Sequence, residues 1–279
     1  MGAALETIPF YVTSLTGSTT FNSVTYNALQ SGTVRSYVDG SSAWIEEVWA
    51  AAVAHPFQLS IKSPRMADQT KGILMAGSSL NAAASADIFN PQSLLPGFLT
   101  QRVYSTDILT VTANGTASDT FVGTMNIRYE NLGGVSARLA TWDQVNPNIR
   151  NIVGILTQPT SGSTAGVFGT GVALNSVDDR LWADTDYALL GITSSVPVTC
   201  IGITGVDTGN LTLGCPGFWN IRDGGDFFVN ASLTYRAPHI PVFNSNNKGG
   251  IFIQTADALT STAANVTLIF AQLQNKFQG

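Results

Sequence analysis

Few side chains in this 279-residue chain could do chemistry. They are two histidines (His55 and His239), two cysteines (Cys200 and Cys215), and the aspartates Asp178, Asp179, Asp184 and Asp186, with Asp207, Asp223 and Asp226 in later loops. Oxygen ligands clustered on the loops of a β-sandwich can hold Ca²⁺. That makes Asp184, Asp186 and Asp207 weak calcium candidates. Paired carboxylates can also serve glycoside hydrolysis. Aspartate is equally the ordinary residue of turns, and the solvated-turn reading is preferred. No catalytic residue and no cofactor is expected.

The histidines have no partner at metal-ligand spacing and read as structural. His55 falls at the end of an expected helix, and His239 lies between Pro238 and Pro241. Two cysteines are too few for a disulfide framework or a thiolate zinc site. Either they bridge the loop between them or both stay as buried free thiols, and the free state is preferred. The chain contains no phosphate-cradling GxxxxGK[ST], no GxSxG elbow, no HExxH and no GxGxxG after a strand. Gly162-Ser163-Thr164-Ala165-Gly166 resembles an elbow only loosely, with Thr164 where the nucleophile belongs. The sequons at Asn210, Asn230 and Asn265 are of a kind common by chance in a chain rich in Asn, Thr and Ser.

Composition narrows the function class. Charged residues are 11%, against a usual ~25%. Hydrophobic residues are 44%, with 27 glycines. This suits a β-rich protein with much of its surface covered by neighbours, or a polar uncharged surface. The net charge of −5 comes with no basic run, so direct nucleic-acid binding is not expected. MGAALETIPF lacks the charged and apolar regions of a signal peptide. No stretch reaches the ~18 apolar residues of a membrane-spanning helix.

The elements that would position these side chains are mostly strands. Tyr187–Ile192 is a short continuous apolar run, as in a strand covered on both faces. Val196, Val198 and Cys200 then alternate, and the phase slips at Ile201 and Ile203, with Gly202 at an expected bulge. Val206–Gly217 reads as loop around at most a short strand at Leu211–Leu213. Upstream, Leu5–Leu15, Thr19–Leu29, Thr33–Val38, Phe57–Lys62, Gly72–Ala76, Phe98–Tyr104 and Ile108–Ala113 read as strands. Phe121–Glu130 alternates for its full length, with Phe121, Gly123, Met125, Ile127 and Tyr129 inward. The turn signal Asn114-Gly115 suggests a hairpin between it and Ile108–Ala113.

Trp44, Ile45, Val48, Trp49 and Ala52 fall on one helical face, with Glu46 and Glu47 in the first turn. A second short helix is expected around Trp142–Val145. Ile152–Thr157, Val167–Leu174, Phe227–Tyr235, Ile251–Gln254 and Val266–Leu273 complete the strands. The last is apolar on both faces and belongs inside a sheet. Gly77–Gly97, Gln158–Gly166 and Pro238–Gly250 read as long uncharged loops.

Some fifteen strands, about 8–12 residues apart, with two short helices argue for an all-β fold of sandwiches or jelly rolls. One helix in each half suggests two similar sandwiches, 1–125 and 126–279. A single continuous domain is the alternative.

Several phrases carry a resemblance. They are Ser63-Pro64-Arg65 with Asp68 and Lys71-Gly72-Ile73; Tyr104 with Asp107-Ile108-Leu109; Arg128-Tyr129-Glu130-Asn131-Leu132-Gly133; Thr185 to Gly191; Asp207 to Leu211; and Ile240 to Lys248. Together they resemble bacteriophage virion structural proteins, similar in size and strand count to major capsid proteins of tailless, lipid-containing icosahedral phages. The resemblance implies two side-by-side jelly rolls, a homotrimer that tiles a shell with other capsid proteins over an internal viral membrane, and a virion location after assembly in the host cytoplasm. It carries over no catalytic residue. A phage spike or decoration protein, or a carbohydrate- or receptor-binding β-sandwich, is the rival reading, with Trp182 and Trp219 as its loop aromatics. An enzyme on a jelly-roll scaffold is a third, disfavoured by the shortage of His and Glu.

Overall fold

The chain twice makes the same pattern, a long hairpin wrapped on itself. The computed structural model describes residues 2–27, 32–66, 70, 72–77, 94–95, 100–160, 166–196, 198–217, 224–257 and 265–278. Its first set of strands is β1 (Ala4–Val12), β2 (Asn22–Ser23), β3 (Thr25–Tyr26), β4 (Ala43–Ala52), β5 (Phe57–Lys62), β6 (Ile73–Gly77), β7 (Gln101–Val103), β8 (Thr110–Asn114) and β9 (Phe121–Tyr129). β1 pairs with β9, β2 with β8, β4 with β7 and β5 with β6, all antiparallel. Cross-links β4–β9 and β5–β8 close this hairpin into two sheets, β3-β1-β9-β4-β7 and β2-β8-β5-β6. A hairpin wrapped into two facing sheets in this way is a jelly roll.

The second set repeats the order. It comprises β10 (Leu139–Ala140), β11 (Ile149–Thr157), β12 (Val167–Phe168), β13 (Val172–Ala173), β14 (Asp186–Ser194), β15 (Val198–Thr204), β16 (Leu213–Gly217), β17 (Ile240–Asn244), β18 (Phe252–Asp257) and β19 (Val266–Leu273). The sheets are β10-β17-β14-β19-β11 and β12-β18-β15-β16, with β13 also on β18. Each strand of the first roll's wrapped hairpin has its counterpart here. The fold is all-β, built of two jelly rolls.

Each roll has its own core. In the first, Ile8, Phe10, Ile45, Val48, Phe121 and Met125 face Leu59, Ile61 and Val111 across the sandwich. In the second, Ile155, Leu189, Val242 and Phe270 face Ile201, Ile203, Leu213 and Ile253. β19 lies between β14 and β11, inside its sheet as its two apolar faces require. β9 carries the first roll on to Tyr129, so the division expected between 125 and 126 falls inside a strand.

Several local expectations are corrected. Trp44–Ala52 is not a helix but lies within strand β4. A bulge at Glu46 inserts one extra residue between Ile45 and Glu47 in the pairing with β9. This shifts the period-2 phase, so Ile45, Val48 and Ala52 share a face at spacings that imitate a helix. Phe227–Tyr235 is not a strand but helix α2; the four-residue turn Trp142–Val145 is α1. In α2 the buried residues Phe228, Val229, Ala231 and Ser232 form one helical face beneath an accidental alternation. Both helices therefore sit in the second roll among the described residues.

The expected hairpin of Ile108–Ala113 with Phe121–Glu130 is absent. β8 pairs with β2 and β5, whereas β9 pairs with β1 and β4. The intervening turn crosses from one sheet to the other. Thr19–Leu29 and Val167–Leu174 shrink to two-residue strands, and Thr33 makes only an isolated bridge to Ile108. Leu213–Gly217 is strand rather than loop, and it tolerates Pro216 because β16 is an edge strand. The β15 bulge lies between Val198 and Ile201, just before Gly202.

Candidate functional site

A buried polar cluster lies between the rolls. β1, β9 and β4 turn one face to the first core and the other to β15, β16 and α2 of the second roll. On β1 the seam face carries Leu5, Thr7 and Tyr11; on β9 it carries Val122, Thr124, Asn126 and Arg128. On β4 the bulge sends both Glu46 and Glu47 to this side, where regular alternation would send one. Trp49, Ala51 and Val122 pack there as an apolar patch against Phe227. The Trp49 and Phe227 rings are 5.3 Å apart.

Beside that patch is a charged row. Arg128 Nε donates to Glu46 Oε1 at 2.5 Å, and its guanidinium lies 4.4 Å from the Trp44 ring centroid. His239 Nε2 is 2.5 Å from Glu46 Oε2, and its Nδ1 is 3.1 Å from the Ala237 carbonyl. Tyr235 stacks on His239 and donates its hydroxyl to the Glu46 carbonyl at 2.7 Å. Asn126 Nδ2 donates to Glu47 Oε2 at 2.8 Å. Thr7 Oγ1 in turn donates to Asn126 Oδ1 at 2.7 Å and accepts from the Gly214 amide of the second roll at 2.8 Å. A hydrogen-bond chain therefore runs from β16 to Glu47.

The electrostatics separate the two glutamates. Burial pushes the Glu46 carboxyl up, but His239 and Arg128 outweigh it and hold the group below the usual range. Burial raises Glu47 to about 7, against the opposing pull of His239 and Asn126. Cys200 and Cys215 line the same region as free, buried thiols. Burial lifts Cys200 to about 12 and Cys215 well above its ordinary value. With Glu46 1% and His239 3% exposed, the row is buried between the two rolls. Its side chains tie β4 and β9 of the first roll to the segment before β17 of the second.

The three calcium candidates lie at one end of the second roll, where they engage cationic and amide groups. Arg138 Nη2 is 2.8 Å from Asp186 Oδ2, and its Nη1 is 3.6 Å from Asp207 Oδ1. Asp186 also accepts from Asn244 Nδ2 and from the Phe277 amide, both at 2.8 Å. Asp207 accepts from Asn247 Nδ2 at 3.0 Å, and Asp184 pairs with Lys276. Burial raises Asp186, but Arg138 and the other donors outweigh it and hold the carboxyl low. Among the described residues no group of three or more His, Cys, Asp or Glu side chains is placed to hold a metal ion. Asp184 and Asp186 hold the C-terminal segment at Lys276 and Phe277, whereas Asp207 holds Asn244 and Asn247.

The remaining candidates are scattered. Asp178 pairs with Arg180, Asp179 with Lys248, and Asp226 accepts from Asn230. His55 follows a strand rather than ending a helix, and its ring lies 3.4 Å from Asp119. Trp182 is exposed, with the Arg150 guanidinium 5.0 Å from its ring centroid. Trp219, Asp223, the loop Gly162–Ala165 and most of Gly77–Gly97 lie outside the described residues. Glu46, Glu47, Arg128 and Asn126 had no place among the sequence candidates. Their signal was two adjacent glutamates inside an otherwise apolar run, concealed by the helical reading.

No protein-family description matches the chain, and no curated protein matches it. Among solved structures, one titled "Crystal structure of PBSX exported protein XepA" is 10% identical with a TM-score of 0.22, covering 98% of this chain and 86% of its own. A second, titled "Crystal Structure of the STIV MCP", is 8% identical with a TM-score of 0.21, covering 98% and 96%. At such scores neither likeness carries an argument, and the jelly-roll assignment rests on the strand pairing.

Proposed function

We propose that this chain is a self-assembling structural subunit of a virus shell, a major capsid protein that works as a homotrimer. The observation that carries the reading is the repetition of one jelly-roll strand order in two rolls joined by a buried seam. Such a subunit presents the same kind of sheet face more than once. Within the chain, the first roll's β1-β9-β4 face covers β15 and β16 of the second. Among the described residues, the corresponding sheet of the first roll, β2-β8-β5-β6, has no such cover. Its groove is lined by Phe21, Gln58, Ser60, Lys62, Leu74 and Thr112, with Phe21 40% and Leu74 54% exposed.

A second copy laying its second roll on this face repeats the internal contact head to tail, and a ring that closes at three copies is the trimer. The low charge content favours close packing of copies. Other shell proteins and an internal viral membrane are the further expected neighbours, and the virion the expected location. The test is electron microscopy of concentrated purified protein, with Leu74→Asp as the blocked variant. Trimers or closed particles that disappear in Leu74→Asp support the reading. Single subunits throughout, in both proteins, contradict it.

One observation favours the rival reading, a glycan- or receptor-binding module. Trp182 is 54% exposed, with the Arg150 guanidinium over its ring. Retention on a glycan array that is lost in Trp182→Ala would favour that module.

A further inference from the structure

We propose that the seam between the two rolls is a proton-operated latch, closed while Glu47 carries a proton and loosened when that proton leaves. The proposal rests on the seam of a single chain and holds whether or not copies assemble. Its basis is geometric. The β4 bulge places two consecutive carboxyl groups in one dry contact, and the basic side chains of that contact hydrogen-bond to only one of them. Arg128 from β9 and His239 from the segment before β17 both engage Glu46.

Among the described residues, the hydrogen-bond donor to Glu47 is the neutral Asn126 amide. The other titratable groups facing the row are Tyr235 of α2, Cys200 of β15 and Cys215 of β16. None of these is a cation, and burial keeps all three protonated. Of the β1 residues on this face, Thr7 bonds to Asn126, and Tyr11 packs at the apolar patch with Trp49 and Val122. The neighbour of Thr7, Glu6, turns the other way and is held by Arg35.

A protonated Glu47 adds no charge beside the Arg128–Glu46 pair. Loss of the proton puts a second carboxylate beside the first in a site where water cannot solvate it. The chain from Glu47 through Asn126 and Thr7 to the Gly214 amide passes the disturbance to β16 of the second roll. The folded-state value of Glu47 lies above its ordinary 4.5, at about 7. Its stabilising share is therefore fully present below the ordinary value and is lost as pH rises through the folded one.

The test compares wild type with Glu47→Gln, which mimics the protonated form. Between those two values, the wild-type unfolding constant should rise relative to the variant's by roughly tenfold per pH unit. Infrared spectroscopy of the wild type should show a buried protonated-carboxyl band just below neutrality that titrates away in mild alkali. Equal pH slopes in the two proteins overturn the proposal. So does the absence of that band from the wild type, which decides the matter even if Glu47→Gln does not fold.

Discussion

His239 Nε2 and Glu46 Oε2 meet at 2.5 Å across 193 residues of sequence, one from each jelly roll. Acceptors face both ring nitrogens, so the contact is fully satisfied when both carry hydrogens. Arg128 holds the other oxygen of the same carboxylate. This one group ties β4, β9 and the approach to β17 together.

Removing it should be costly. Breaking a buried ion pair by deleting one partner leaves an uncompensated charge, at about 3–5 kcal/mol. Glu46→Ala and His239→Ala should each lower the urea midpoint accordingly. The double variant should cost clearly less than the sum. Additive costs would mean that the two residues do not interact across the seam.

The acid side of the stability profile should depend on Asp186. Its folded-state value is depressed below the ordinary 3.8, so its contribution is present above that value and lost as pH falls through the folded one. Arg138→Met should flatten this acid limb. It should also free the Phe277 end of the chain, read as faster carboxypeptidase trimming. An unchanged trimming rate would remove the aspartates' role as the tail's anchor.

The two thiols should be silent in the folded protein. Both are buried and held protonated, and a thiolate is the reacting species. A thiol reagent in mild alkali should modify neither Cys200 nor Cys215 until denaturant is added, and then both. Rapid labelling of the native protein would show the seam to be open.

Gly191 should resist any side chain. A Cβ there would lie 2.1 Å from the Gly224 carbonyl oxygen and 2.3 Å from the Gly225 carbonyl carbon. This backbone runs over β14 on its way into α2. Gly191→Ala should destabilise by about 1–3 kcal/mol, as overpacking does. Gly249→Ala, with nothing within 4 Å, should have little effect. Calorimetric midpoints separate the two.

What the sequence made legible was local. The β9 alternation identified its inward residues, and Phe121, Met125, Ile127 and Tyr129 are in the first core. The continuous apolar character of Val266–Leu273 identified a central strand. Strand partnership was not legible, because Ile108–Ala113 and Phe121–Glu130 looked like neighbours and lie in opposite sheets. Nor was the seam. Asn126 and Arg128 fall on the outward face of the alternation, and only the second roll, far along the chain, covers them. Thr7 reaches Asn126 over 119 residues and Gly214 over 207. The bulge at Glu46 disguised a strand as a helix, and with it the residues that join the rolls.

Self-assembly is tested most directly by sedimentation of the purified protein across a wide concentration range. The account predicts a stable trimer, or larger closed particles, from the lowest concentrations at which the boundary can be read. A protein that sediments as a monomer up to the highest concentration would contradict it and leave the binding-module reading in its place.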